Sequence, residues 1–242
     1  MNYDFQAIIV NENEAGLPCG QGNGVLIDRD RGIVSTVAHG LKRGSKCKVF
    51  LKDGVYNATF RQDAVNWSMD LALVTLDDFG SGSLPPAPVV ADAHDGDDII
   101  IPGYMPQEGS TEMGILRSYY NLNISKEICP ASVTGKIVAM HQTLACMDID
   151  AFLQEVAEFE QNGKNSLEKS RLFYEDYIIL EIEGLNQRWA TGLSGSPVVD
   201  NKGEIVGIFS IILNDGNFKM GAAIPFSEAK QLVSEFVDNL GN

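Results

Sequence analysis

Cysteine is sparse and scattered in this chain. Cys19, Cys47, Cys129 and Cys146 form no CxxC pair, and they are read as four thiols. No spacing of His, Cys or Asp marks a zinc or calcium site, so the sequence asks for no metal and no organic cofactor. Long apolar runs are also missing. Nothing approaches the roughly 20 residues that span a bilayer, which argues against membrane insertion. The first ten residues lack the basic and then apolar layout of a signal peptide, and the expectation is a cytoplasmic protein. Bases are outnumbered, 18 against 33 acids, for a formal net charge of -15. A field of that sign repels phosphates and speaks against nucleic acid as a partner, although most of these acids do no more than keep the chain soluble. Histidine is scarcer still, at 3, so each candidate for proton transfer can be weighed singly.

What is present is glycine, proline and apolar residue in short alternation. With 242 residues and 44% hydrophobic content the chain can bury a sizeable core, and its 24 glycines and 9 prolines punctuate many short β-type runs. Gln6 to Val10, Gly24 to Asp28, Gly32 to Val37, Lys46 to Leu51, Val55 to Arg61 and Leu71 to Leu76 suit one antiparallel barrel. The segment Gly80-Ser81-Gly82-Ser83-Leu84-Pro85-Pro86-Ala87-Pro88 is flexible and then stiff, as a crossover between two units would be. Beyond it, Asp98 to Tyr104, Val133 to Val138, Asp176 to Ile182, Ile205 to Ile212 and Gly221 to Pro225 supply a second barrel. The expected division is 1–91, 92–225 and a C-terminal helix over 226–242. In that helix Ser227 would cap, and Ala229, Leu232, Val233, Phe236, Val237 and Leu240 fall on one face.

One stretch breaks the β pattern. Ile149, Phe152, Leu153, Val156 and Phe159 recur at helical spacing, with Asp148 or Asp150 as N-cap and Asn162-Gly163 as a stop. This predicts a helical insert over about 147–175, with a second short helix at Leu167 to Phe173. Such an insert serves either as extra packing on the second barrel or as a docking site for a regulatory protein.

The chemistry is concentrated in three places. Thr191-Gly192-Leu193-Ser194-Gly195-Ser196-Pro197 is a glycine-bracketed serine running into an apolar strand, a turn that exposes a hydroxyl while backbone N–H groups converge beside it. Gly-Ser-Gly-Ser also occurs in ordinary turns, so the reading needs a base and an orienting acid. His39 ends the run Gly32 to Ala38 where strand gives way to loop, whereas His94 sits in an acidic surface loop and His141 has no neighbouring motif. Asp70 leads straight into the apolar Leu71 to Leu76, a setting in which an orienting carboxylate would be buried.

In the order His39, Asp70, Ser194 the chain resembles the chymotrypsin-fold serine peptidases. Val37-Ala38-His39 is similar to the family's histidine motif, Met69-Asp70-Leu71-Ala72-Leu73 to its Asp-Ile-Ala-Leu, and Gly192 to Pro197 to its Gly-Asp-Ser-Gly-Gly-Pro. Gly22-Asn23-Gly24-Val25-Leu26-Ile27 is nearer the HtrA-like and glutamyl endopeptidase branches than the secreted trypsins. The resemblance implies an all-β fold of two six-stranded antiparallel barrels and a serine endopeptidase acting on protein or peptide substrates. It implies a triad of Ser194, His39 and Asp70, with the Gly192 and Ser194 backbone N–H groups as oxyanion hole. The strand Gly203 to Ser210 is similar to the family's specificity-pocket wall, which also holds the peptide substrate as an added strand, and the substrate-binding set is Arg188, Thr191, Ser210, Ile211 and Ile212.

Departures from that pattern carry information too. Leu193 stands where trypsins carry the aspartate that receives a new N-terminal amine, so that zymogen switch has no acceptor here and the oxyanion loop must be ordered otherwise. Gly40 stands where trypsins usually carry a disulfide cysteine. Arg188 would favour an acidic P1 side chain, while Trp189, Ile211 and Ile212, together with the negative field, favour an apolar or shallow pocket. Two rival functions share the motifs: a catalytically inactive peptide-binding or scaffold module, and a protease effector switched on by a partner at the insert.

Overall fold

The structure is a computed structural model; it describes residues 3–12, 15–16, 18–41, 46–52, 54–80, 84–106, 128–142, 176–183, 193–213 and 220–240. The helical insert expected over 147–175, with its short companion at Leu167 to Phe173, lies outside the described residues, as do Arg188, Thr191 and Gly192.

Strands β1 (Gln6–Glu12), β2 (Pro18–Asp28), β3 (Ile33–Val37), β4 (Lys46–Leu51), β5 (Gly54–Asn66) and β6 (Leu71–Leu76) close into one barrel in the order β1-β2-β3-β6-β5-β4. Strands β7 (Asp98–Pro106), β8 (Ile128–Gln142), β9 (Tyr177–Glu183), β10 (Pro197–Asp200), β11 (Ile205–Leu213) and β12 (Met220–Pro225) close the second in the order β10-β11-β12-β9-β8-β7. All ladder pairings between these strands are antiparallel, so the all-β double barrel expected from the sequence is what the chain forms. Helix α1 (Phe226–Leu240) follows β12. It starts at Phe226, which is buried among the strands, so Ser227 falls inside the first turn instead of capping it. Among the described residues no helix is long and apolar enough to cross a membrane.

Strands β3 and β6 show why some runs are apolar without alternation. Val34, Ala72 and Val74 fill the first barrel's interior, while Ile33 and Leu73 pack under α1 with Phe236, and Val37 and Leu71 join a cluster with residues of the second barrel. Both faces are buried along most of each strand, so apolar residues occupy both, and the polar Ser35 and Thr36 of β3 are buried as well. The β2–β3 hairpin, by contrast, turns through an exposed, charged stretch where Asp28 caps the Arg31 N–H at 3.0 Å and pairs with its guanidinium at 2.9 Å.

Two features tie the barrels together. Val25, Val37 and Leu71 of the first meet Tyr177, Val199, Ile205, Ile208 and Ile224 of the second in one cluster, against which Phe226 and Ala229 also pack. Helix α1, though it follows the second barrel, lays Phe236 against Ile33, Ala64 and Leu73 of the first. Arg61 of β5 covers the Phe236 ring at 4.9 Å. The segment after the crossover adds an isolated parallel bridge to β11: Ile205 N–H donates to the Val89 carbonyl at 2.7 Å and Ala91 N–H to the Ile205 carbonyl at 2.9 Å.

Candidate active site

His39 sits on a 3-10 turn, Ala38–Gly40, where β3 stops. The turn is held on three sides: Leu41 N–H donates to Ala38 O at 3.1 Å, Asn11 Nδ2 to Gly40 O at 2.6 Å, and Ala38 N–H to Asp70 O at 2.9 Å. Asp70 closes a second 3-10 turn, Trp67–Met69, and takes the left-handed conformation at φ 53 and ψ 35 before β6 begins. Aspartate tolerates that region better than most residues. Tyr177 of the second barrel donates its hydroxyl to Met69 O at 3.1 Å and so braces the turn from across the junction.

The Asp70 carboxylate is 2% exposed and is satisfied from several directions. His39 N–H donates to Oδ1 at 2.9 Å, His39 Nδ1 lies 2.7 Å from Oδ2, and Ser210 Oγ donates to Oδ2 at 2.7 Å. A carboxylate only accepts, so the proton between it and the imidazole belongs to Nδ1, which leaves Nε2 as the basic nitrogen. The His39 side chain is 29% exposed, so the imidazole reaches the surface of the junction.

Ser194 lies across the junction on a tight turn. Ser196 N–H donates to Leu193 O at 2.9 Å, with Gly195 at φ 85 in the third position, as a type II turn requires. A Cβ at Gly195 would run into the Asn23 carbonyl, so both the dihedral and the space call for glycine. The turn is stitched to β11 by Gly195 N–H to Phe209 O and Phe209 N–H to Ser196 O, both 2.8 Å. It is stitched to the first barrel by Asn23 N–H donating to Ser194 O at 3.0 Å. The Ser194 hydroxyl donates to Ser210 O at 3.0 Å.

Three of the residues singled out by sequence, His39, Asp70 and Ser210, therefore share one hydrogen-bonded cluster, and Ser194 joins it through Ser210 O. Ser210 was expected only as part of a pocket wall, yet its side chain is spent on the buried carboxylate. Ile211 packs on the inter-barrel cluster, and Ile212 lies in β11. His94 is exposed beside Asp97, as a surface histidine should be. Sequence reasoning missed Asn23. It is fully buried, its backbone carbonyl accepts from Thr36 Oγ1 at 2.6 Å, and its side-chain Oδ1 accepts from Tyr104 N–H of the second barrel at 3.1 Å. It missed Gln6 as well, whose Nε2 donates to Pro102 O at 2.9 Å. For Gln6 the signal is a polar residue opening a strand that reads as barrel core; Asn23, just before the run Gly24 to Asp28, carries no such mark.

The family model described as a trypsin-like peptidase domain matches residues 22–208. No curated protein matches the chain significantly.

Proposed function

We infer, from the premise that this chain belongs to the trypsin-like peptidase domain family, that it is a serine endopeptidase working through Ser194, His39 and Asp70. The observation that carries the reading is the buried, multiply satisfied Asp70 carboxylate holding His39 by Nδ1, with the Ser194 turn anchored across the same junction. An acid buried against a partly exposed imidazole is more than packing requires, and the buried acid would be expensive to keep without a role.

Reaction starts when the Ser194 hydroxyl leaves the Ser210 carbonyl and gives its proton to His39 Nε2 as Oγ bonds to the substrate carbonyl carbon. The imidazolium is stabilised by Asp70 and hydrogen-bonded to it through Nδ1. Negative charge on the substrate oxygen is met by the Ser194 and Gly192 backbone N–H groups, a contribution on the order of 3 kcal/mol per donor. Collapse breaks the C–N bond and His39 returns the proton to the leaving amine. Water then repeats the sequence on the acyl-enzyme, activated by the same imidazole. The vacated Ser210 carbonyl is free to accept a main-chain N–H from the peptide, laid down as an extra strand on β11. Leu193 offers no acceptor for an N-terminal amine, so loop ordering is independent of N-terminal cleavage.

A fluorophosphonate probe tests this. It is expected to label the wild type and not Ser194→Ala. Absence of labelling in the wild type, with peptides still bound, would replace the enzyme by a peptide-binding module; labelling that appears only with a partner present would make it a partner-activated effector.

A further inference from the structure

The residue just before the candidate nucleophile has its side chain in the barrel interior. Leu193 is 0% exposed and belongs to the apolar cluster of the second barrel with Ile99, Ile101, Val198 and Phe209. Opposite it, on β7, is Gly103. A Cβ built there would lie 2.5 Å from Leu193 Cδ2 and 3.0 Å from Ser196 Oγ. The leucine methyl thus occupies space that exists only because residue 103 has no side chain, and the serine on the far side of the turn closes the same socket.

That socket does not float. Its flanking residues are fixed to the first barrel: Pro102 O by Gln6 Nε2 at 2.9 Å, and Tyr104 N–H by Asn23 Oδ1 at 3.1 Å. Asn23 N–H in turn holds Ser194 O at 3.0 Å. The contacts form a ring running Ser194, Asn23, Tyr104, Gly103, Leu193 and back to Ser194 through the chain. One side of the ring is hydrogen-bonded and passes through the barrel that carries His39; the other is packing and passes through the barrel that carries the serine.

We propose that Leu193 and Gly103 are positioning residues, a plug and socket that set where Ser194 stands relative to His39. An apolar side chain with one well-packed place restricts the backbone at its Cα, and needs no charged partner or covalent event to do so. The turn is ordered by the same burial that forms the barrel core. This rests on reading Ser194 as the nucleophile, and the experiment separates the two ideas.

Two quantities are followed in Leu193→Ala, Leu193→Met, Gly103→Ala, the double variant Gly103→Ala/Leu193→Ala and the control Ile101→Ala. One is the rate of fluorophosphonate labelling; the other is hydrogen exchange at the Gly195 and Ser196 amides, which bond to Phe209 O and Leu193 O. Leu193→Ala and Gly103→Ala are each expected to slow labelling about 100-fold, comparable to losing an oxyanion donor, and to speed exchange at both amides. Leu193→Met, which keeps the volume, stays within about tenfold of wild type. The double variant, with the clash relieved, labels faster than Gly103→Ala alone. Ile101→Ala removes core from the same cluster at a residue of β7 that is neither plug nor socket, and below its melting temperature it labels and exchanges like wild type.

Leu193→Ala labelling within threefold of wild type, or Ile101→Ala slowing labelling as much as Leu193→Ala does, overturns the proposal. If the wild type itself fails to label with or without a partner, the protease reading falls. The exchange measurement then still decides the plug and socket, which fails if the two amides keep their protection in Leu193→Ala. Should Leu193→Ala not fold, a loss beyond tenfold in Leu193→Met refutes the idea that volume is what matters.

Discussion

The two barrels are alike in strand count and closure but hold their share of the site by different physics. The first presents His39 and Asp70 on two short turns at strand ends and fixes them by directional bonds: the carboxylate takes the His39 main chain, the imidazole and the Ser210 hydroxyl. The second presents Ser194 on a glycine turn and fixes it by backbone ladder bonds and by burying Leu193. Directional bonds respond to the loss of one atom with no change in volume; packing responds to a methyl group with no change in polarity. Substitutions of each kind should therefore be felt in one half and tolerated in the other.

The largest effect is expected from Asp70→Asn, which keeps the shape and removes the acceptor that holds Nδ1–H. We expect kcat/KM against a peptide substrate to fall about 10⁴-fold, with an unchanged circular dichroism spectrum, because the wrong tautomer is then favoured. Next comes Gly195→Ala, which asks an L-residue to adopt φ 85 against the Asn23 carbonyl. Strain and clash together should cost about 3 kcal/mol or more, and thermal unfolding should drop by roughly 10 °C for a domain of this size.

How much of this was legible beforehand depended on range. Strands such as Ile33–Val37 and Leu71–Leu76 announce themselves because both faces are buried, and His39, Asp70 and Ser194 because each needs a particular local turn. The extension of β5 beyond Arg61 to Asn66 was not readable, since Gln62 and Asp63 are exposed polar residues with no apolar pattern and lie where the register against β6 shifts before pairing resumes at Val65. The start of β2 before Gly24 was not assigned to a strand from its sequence, yet it pairs with β1 down to Pro18 opposite Glu12. The roles of Asn23, Gln6 and the Leu193–Gly103 fit depend on which barrel faces which, and no local pattern encodes a contact between residues 90 positions apart.

Smaller effects refine the contrast. Phe236→Ala removes the anchor of α1 on the first barrel and should lower stability by about 3 kcal/mol. The labelling rate per folded molecule should stay the same, which chemical denaturation and active-site titration can check together. Cys47 gives a chemical version of the same test. Burial, then the charges of Asp77 and Glu12, push its thiol up to about 12, so it should resist iodoacetamide at pH 8 in the native protein and react once denatured.

The smallest effect is at Asp63. The hydrogen bond from Arg61 holds its carboxyl below the usual range, so its stabilisation is present above the ordinary aspartate pKa, about 4, and fades as pH falls through the lowered value. Asp63 is exposed and its partner partly so, and Asp63→Asn should cost under about 0.5 kcal/mol at neutral pH, less in high salt. Urea midpoints followed from pH 7 downward would show the difference shrink as the carboxyl protonates.

The claim underlying all of this is that a buried acid, an oriented imidazole and a serine from opposite barrels act on one another. Peptide mass spectrometry after brief fluorophosphonate treatment addresses it most directly. The account expects the adduct on Ser194, with its rate of formation reduced at least a thousandfold, on the scale of losing one triad member, in a folded His39→Ala variant. An adduct on another hydroxyl, or one on Ser194 that forms equally fast without His39, would contradict it.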